Sequence, residues 1–285
     1  MPPAAEAVDA RLSYAYAVLR PVASPPADAS VAAAAADALT GVHGVADAAV
    51  RLVHHGSVAA AVSSVPRTDF SEAALKAHLE DLDWLETVAR AHHLVVETLG
   101  THTTVLPLRL ATVYLDDDRV RDMLREGEQN FTTLLDRLAG HVEWGVKVYA
   151  ESSPSPASSP TTTDELAPGR AYLRQRGQQR HAREDARSSA VEAVRRIEEQ
   201  TRDLAVERAR HRPQQGRLAG GTGENIANDA YLVPSRHADA FRERALHAAD
   251  GLPGVRVEVT GPWVPYSFTA RPESEAPAPE EVRQR

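Results

Sequence analysis

The residues best equipped for chemistry are two histidine pairs, His54-His55 and His92-His93, the glycine-rich run Gly220-Gly221-Thr222-Gly223-Glu224-Asn225, and the acidic triplet Asp116-Asp117-Asp118. Neighbouring side chains on a strand or helix point apart, so neither pair can close on one metal ion. No His-x-x-x-His with a helical acid is present, and cysteine, the best structural zinc ligand, is absent. His92-His93 instead reads as a helix-end pair that complements the helix dipole. The glycine run lacks the Gly-Lys-Ser/Thr ending and precedes a strand, whereas a phosphate loop follows a strand and opens a helix. The triplet lacks the remaining ligands and the glycine of a calcium loop, and reads as the acidic first turn of a helix. No Gly-x-Ser-x-Gly nucleophile elbow occurs. The sequence therefore assigns no catalytic, cofactor-binding or metal-binding residue, and the chain is read as a non-enzyme.

Bulk properties narrow the class further. At 285 residues the chain can hold one or two domains with their own cores. Aromatics are 5% of it, so the core must lean on Ala, Val and Leu. With no cysteine, no basic-apolar secretory start and no apolar stretch of membrane-spanning length, the chain is expected in the cytoplasm. The net charge of −8 gives no pull toward nucleic acid or anionic lipid. Charge is nevertheless uneven. Residues 170–212 carry twelve arginines against seven acids, a net +5, which leaves −13 for the rest. That segment reads either as a solvated helix with i,i+4 pairs or as a basic helix suited to an acidic partner.

The elements expected to position these residues follow from periodicity. Residues 12–20 form a first strand ended by Pro21, and 45–53 with 57–65 a hairpin across His54-His55-Gly56. Asp69 and Glu72 resemble a capping box before a helix carrying Leu75, Leu79, Leu82, Leu85 and Ala89 and ending near His93. Val105–Tyr114 is extended, with Pro107 marking an edge or bulge. Asp116-Asp117-Asp118 opens a helix that Gly140 ends. The remainder reads β(141–149), α(170–212), β(226–233), α(236–249), β(255–260). The low-complexity stretch 151–163 is a flexible insertion or a domain boundary, and 271–285 and the first ten residues are expected to be disordered. This is an α+β chain of two domains, residues 1–139 and 140–270. The second is close to a ferredoxin-like split βαβ fold with one strand missing or hidden, its sheet covered by long helices.

After the last strand come Gly261-Pro262-Trp263-Val264-Pro265-Tyr266-Ser267-Phe268, whose two prolines hold three large aromatics rigid. This run resembles the C-terminal signature of the GvpL/GvpF family of gas vesicle proteins. The resemblance recurs, in order, at Tyr14-Ala15-Tyr16-Ala17-Val18, at Val105-Leu106-Pro107-Leu108-Arg109-Leu110-Ala111-Thr112-Val113-Tyr114, at Glu143-Trp144-Gly145-Val146-Lys147-Val148 and at Ala230-Tyr231-Leu232-Val233, spanning residues 12 to 268. Two positions depart from the pattern: Leu110-Ala111 stands where the family usually has Phe-Gly, and Val264 where Pro is common.

The resemblance implies two α+β domains, the second a modified ferredoxin-like fold, and no catalysis. It implies an accessory protein of gas vesicles that binds the hydrophobic shell protein of the GvpA type, as an assembly factor or a minor shell component, alongside other accessory gas vesicle proteins. A ferredoxin-like nucleic-acid binder is the alternative, although the aromatic sheet motif of that class is missing. Candidate partner-binding residues are Arg109, Trp144, Lys147, Trp263 and Tyr266. Glu143 and Lys147 share one strand face and Trp144 lies on the other. Core packing is the competing role for these aromatics, and the 261–268 run is expected to bury Trp263 and close the second domain.

Overall fold

The computed structural model describes residues 10–20, 39–78, 80–151, 168–213 and 223–269. The expected insertion beyond Glu151, the loop 21–30, the glycine run before Gly223, the tail 271–285 and residues 1–9 lie outside them. The chain divides into two compact units, Met1–Ala139 with Val264–Arg285, and Gly140–Trp263.

In the first unit, β1 (Arg11–Leu19) is the centre of an antiparallel sheet whose order is β2 (Val50–His55), β3 (Val58–Pro66), β1, β4 (Val105–Pro107), with the short β5 (Val113–Tyr114) also on β1. The hairpin turns through Gly56 at φ +52, a left-handed conformation that favours glycine. The stretch before it is shorter than the sequence suggests, because Val45–Asp47 forms a 3-10 turn. Every β1 residue from Leu12 to Leu19 is buried, so the sheet is covered on both sides. The single helix expected to end near His93 is instead three: α1 (Arg67–Phe70), α2 (Glu72–His78) and α3 (Leu82–Gly100). The effective cap is Asp81, whose carboxylate accepts from the amides of Asp83 and Trp84. α4 (Asp117–Leu138) starts where the acidic triplet predicts, and all three acids have structural partners. Asp116 caps the helix, Asp117 accepts from Arg51 and Ser13, and Asp118 pairs with Arg121.

The second unit runs β6 (His141–Ala150), α5 (Pro168–Gln200), β7 (Glu207–His211), β8 (Glu224–Pro234), α6 (Ala238–His247) and β9 (Val255–Trp263). Its sheet has the order β7-β8-β6-β9, antiparallel throughout. The strand missing from the sequence reading is β7. It occupies the last part of the segment read as one helix over 170–212. Thr201 and Leu204 are buried in the turns after Gln200, and the arginine-rich sequence Glu-Arg-Ala-Arg-His pairs with β8. Arg208 stabilises this strand from its side chain. It pairs with Asp229 at 2.7 Å and with Glu198, and lies 5.7 Å over the Tyr231 ring. The core on the helix side comprises Trp144, Val146, Val148 and Tyr231 from the sheet with Ala186, Ala190, Ala193 and Ile197 of α5 and Phe241 of α6. The alanines let α5 lie close on the sheet, which is how a chain so poor in aromatics fills its interior.

Candidate partner-binding surface

Two tyrosines of β1 organise the first unit. Tyr14 and Tyr16 stand two residues apart, are fully buried, and have ring centroids 4.9 Å apart. The Tyr16 hydroxyl meets Ser63 Oγ at 2.5 Å and accepts from the Val45 amide at 2.8 Å. The Tyr14 hydroxyl accepts from the Ala111 amide at 3.0 Å and lies 3.0 Å from His92 Nδ1. Burial pushes both phenols above their ordinary range and pushes the His92 imidazole down to about 4. His92 is thus neutral, and its Nδ1 shares a hydrogen bond with the Tyr14 hydroxyl, which also accepts from the Ala111 amide.

This network fixes the loop between β4 and β5. Leu108 donates to the Tyr16 carbonyl and the Ala15 amide to the Thr112 carbonyl, both at 2.9 Å. The Thr112 hydroxyl closes the turn on the Arg109 carbonyl at 2.6 Å. Ala111 is thereby held at φ +61. That conformation costs an L-residue about 1–2 kcal/mol, and it explains the glycine that the family pattern has at this position. The turn points Arg109 and Leu110 outward, and Leu115 just beyond β5 is 57% exposed. A buried hydrogen-bonded frame thus presents one cation and two leucines at the edge of the sheet.

The aromatic run does not close the second unit. From Val264 onward the chain belongs to the first, where Val264 and Tyr266 pack on the core that holds Tyr14, Tyr16 and Leu99, and Phe268 is buried. A methyl added at Gly100 would meet Val264 Cγ2 at 2.6 Å, so this close approach requires glycine. Tyr266 lies 6.1 Å from the His93 ring, and the Phe268 carbonyl accepts from Arg137.

Arg109 and Tyr266 are therefore in the first unit, and Trp144, Lys147 and Trp263 in the second. Trp144 is 3% exposed against Phe241, a core residue, and Lys147 is half-buried. Trp263, expected in the core, is 38% exposed. The cause is a register shift, since Gly145 pairs with Thr260 but Glu143 with Trp263, which places an extra residue in β9. Gly261 sits in this bulge at φ +138, where a methyl would meet the Glu143 carbonyl at 2.8 Å.

His92, too, lies elsewhere than the sequence suggests. It is 3% exposed and lies within α3, not at a helix end. A signal was available: Val88, His92, Val95, Val96 and Leu99 recur at helical spacing, so His92 occupies a core position. Among the described residues no group of three or more His, Cys, Asp or Glu could hold a metal ion, and no helix is long and apolar enough to cross a membrane.

Comparison with known proteins gives a consistent result. A family model described as gas vesicle synthesis protein GvpL/GvpF matches residues 12–270. Gas vesicle protein L of Streptomyces sp. (strain CB03234) is 44% identical over 260 residues, covering 90% of this chain and 92% of the relative. Gas vesicle protein F of the same strain is 27% identical over 220 residues, covering 77% and 87%. The crystal structure of gas vesicle protein GvpF from Anabaena sp. PCC7120 superposes with a TM-score of 0.59 at 17% identity, covering 92% of this chain and 97% of that one. GvpF from Microcystis aeruginosa gives 0.57 at 16%, covering 91% and 99%. These last two establish a shared fold.

Proposed function

Because the chain belongs to the gas vesicle synthesis protein GvpL/GvpF family, we propose that this accessory protein acts in gas vesicle assembly, without catalysis, by binding the hydrophobic shell protein of the GvpA type. Family membership carries the reading. It also supports association with the gas vesicle and with other accessory gas vesicle proteins. A subunit destined for a gas-facing wall exposes apolar surface until it is incorporated, and it needs a partner that covers that surface. The loop over 108–115 suits such contact. Leu110 and Leu115 are exposed apolar side chains, Arg109 adds a cation, and the Tyr14–His92–Ala111 network holds the backbone in place without using the exposed groups. Preorganisation of this kind lowers the ordering cost of association.

Pull-down of the shell protein by the purified chain tests this, with Arg109→Ala, Leu110→Ser and Leu115→Ser combined as the variant. Retention by the wild type, at least tenfold weaker retention by the variant on the order expected for loss of interface anchors, and equal thermal midpoints support the assignment. Equal retention by both removes the loop from the interface, and no retention by the wild type refutes shell binding.

A further inference from the structure

Two exposed surfaces of opposite charge lie on different units of this chain. The first is on α5. At 33 residues this helix is about 50 Å long, and among its described side chains the core-facing ones, Ala186, Ala190, Ala193 and Ile197, lie in its C-terminal half. From Gln175 to Asp185 every side chain is exposed except the position of Gly177. Arg180, Arg183 and Arg187 are spaced by three and four residues and so form one stripe. Val191, one turn further along that stripe, is 56% exposed. The nearest acids are Glu184 to Arg180 and Glu224 to Arg187, each at 3.7 Å, beyond hydrogen-bond distance.

The second surface is on α2 and the start of α3. Glu72, Glu80, Asp81, Asp83 and Glu86 are all exposed there, and Leu82 in their midst is 76% exposed. Lys76 pairs with Glu72 and Arg90 with Glu86, while Asp81 caps α3. Glu80 and Asp83 have no ion pair among the described residues. Over whole units the contrast persists: by sequence the first carries a formal −9 and the second +1.

We propose that the chain associates with itself head to tail, the arginine stripe of α5 in one copy docking on the acidic α2–α3 surface of the next, with Val191 against Leu82. Arg180, Arg183 and Arg187 lead up to exposed Val191 on one surface, Glu80, Asp81 and Asp83 flank exposed Leu82 on the other, and these charges are complementary. Because the two surfaces differ, the contact is heterologous, and it builds a closed ring where the rotation between copies closes and an open row of copies where it does not. Exposed ion pairs are individually weak and screened by salt, so the association is weak and salt-sensitive. Nucleic acid is the other polyanion that an arginine stripe could engage, but it has no use for Val191, and it leaves Leu82 and its acids unexplained.

Sedimentation velocity of the full chain over a concentration series decides the matter. The wild type is expected to gain average mass with concentration at about 50 mM salt and to lose it at about 500 mM, where the screening length shrinks severalfold. Arg180→Glu, Arg183→Glu and Arg187→Glu combined give one monomeric variant. Glu80→Arg, Asp83→Arg and Glu86→Arg combined give another, which leaves α5 untouched. An equimolar mixture of the two should associate again, since each variant supplies the surface its partner lacks. Circular dichroism and thermal midpoints establish that both are folded. A wild type that stays monomeric at low salt overturns the proposal. So does association indifferent to salt or to either variant, a mixture that does not reassociate, or a stripe that retains a short RNA while the chain stays monomeric.

Discussion

Acidification should destabilise the first unit through His92, by an amount that follows from its surroundings. The imidazole is 3% exposed, its Nδ1 lies 3.0 Å from the Tyr14 hydroxyl, and burial lowers its pKa from 6.5 to about 4. A base with a depressed folded pKa binds its proton more readily when unfolded. Its stabilising contribution is thus complete above pH 6.5 and is lost as pH falls toward 4. The full loss is about 3 kcal/mol, since one pKa unit is worth about 1.4 kcal/mol, and roughly 2 kcal/mol of it is gone by pH 5. Carboxylates also titrate toward the acid end, so the comparison needs a control that lacks only this group. His92→Gln keeps a polar partner for Tyr14 and cannot protonate. Urea unfolding of both proteins between pH 7.5 and 5 should show the wild type losing about 2 kcal/mol more than the variant across that interval. Parallel losses would refute the reasoning, and would mean that the His92 site opens to solvent or accepts a proton in place.

Ala111→Gly should stabilise the chain by about 0.5–1 kcal/mol, because it removes the left-handed strain at φ +61 and costs somewhat less in unfolded-state entropy. A rise in the urea midpoint at unchanged slope checks this. Trp263→Ala should cost about 1–2 kcal/mol, against the roughly 3–5 kcal/mol of a fully buried ring, because the indole is 38% exposed; chemical denaturation measures the difference.

Much of the strand and helix sequence was legible because periodicity and punctuation agree there. Tyr14, Tyr16 and Val18 alternate on β1, Asp116 caps α4, and Gly140 at φ +70 ends the approach to β6. The failures have physical causes. β7 reads as part of the helix before it because Glu-Arg-Ala-Arg-His has no apolar alternation; its arginines find Glu198 and Asp229, and Arg208 the Tyr231 ring, outside the strand's own sequence. His92 was placed at a helix end because the helix was stopped at the histidines, before Val95, Val96 and Leu99 could reveal the core stripe. Of the proposed surface, Arg109 was singled out from the sequence, but Leu110 and Leu115 gained meaning only from the turn that exposes them. Nothing local in Val264-Pro265-Tyr266 says which core it enters.

That last placement has a consequence for biosynthesis. The first unit is discontinuous: its core is completed by Val264 and Tyr266, and 124 residues of the second unit, Gly140–Trp263, are made in between. At about 5–20 residues per second the ribosome needs roughly 6–25 s to cross that stretch. During this interval the part of the core that Val264 and Tyr266 pack against has emerged without them. The nascent first unit can collapse but cannot finish, whereas the second unit can fold as soon as its own last strand emerges. Completion thus waits for residues beyond 263, and fragments that stop short of residue 264 lack the side chains that cover this part of the core.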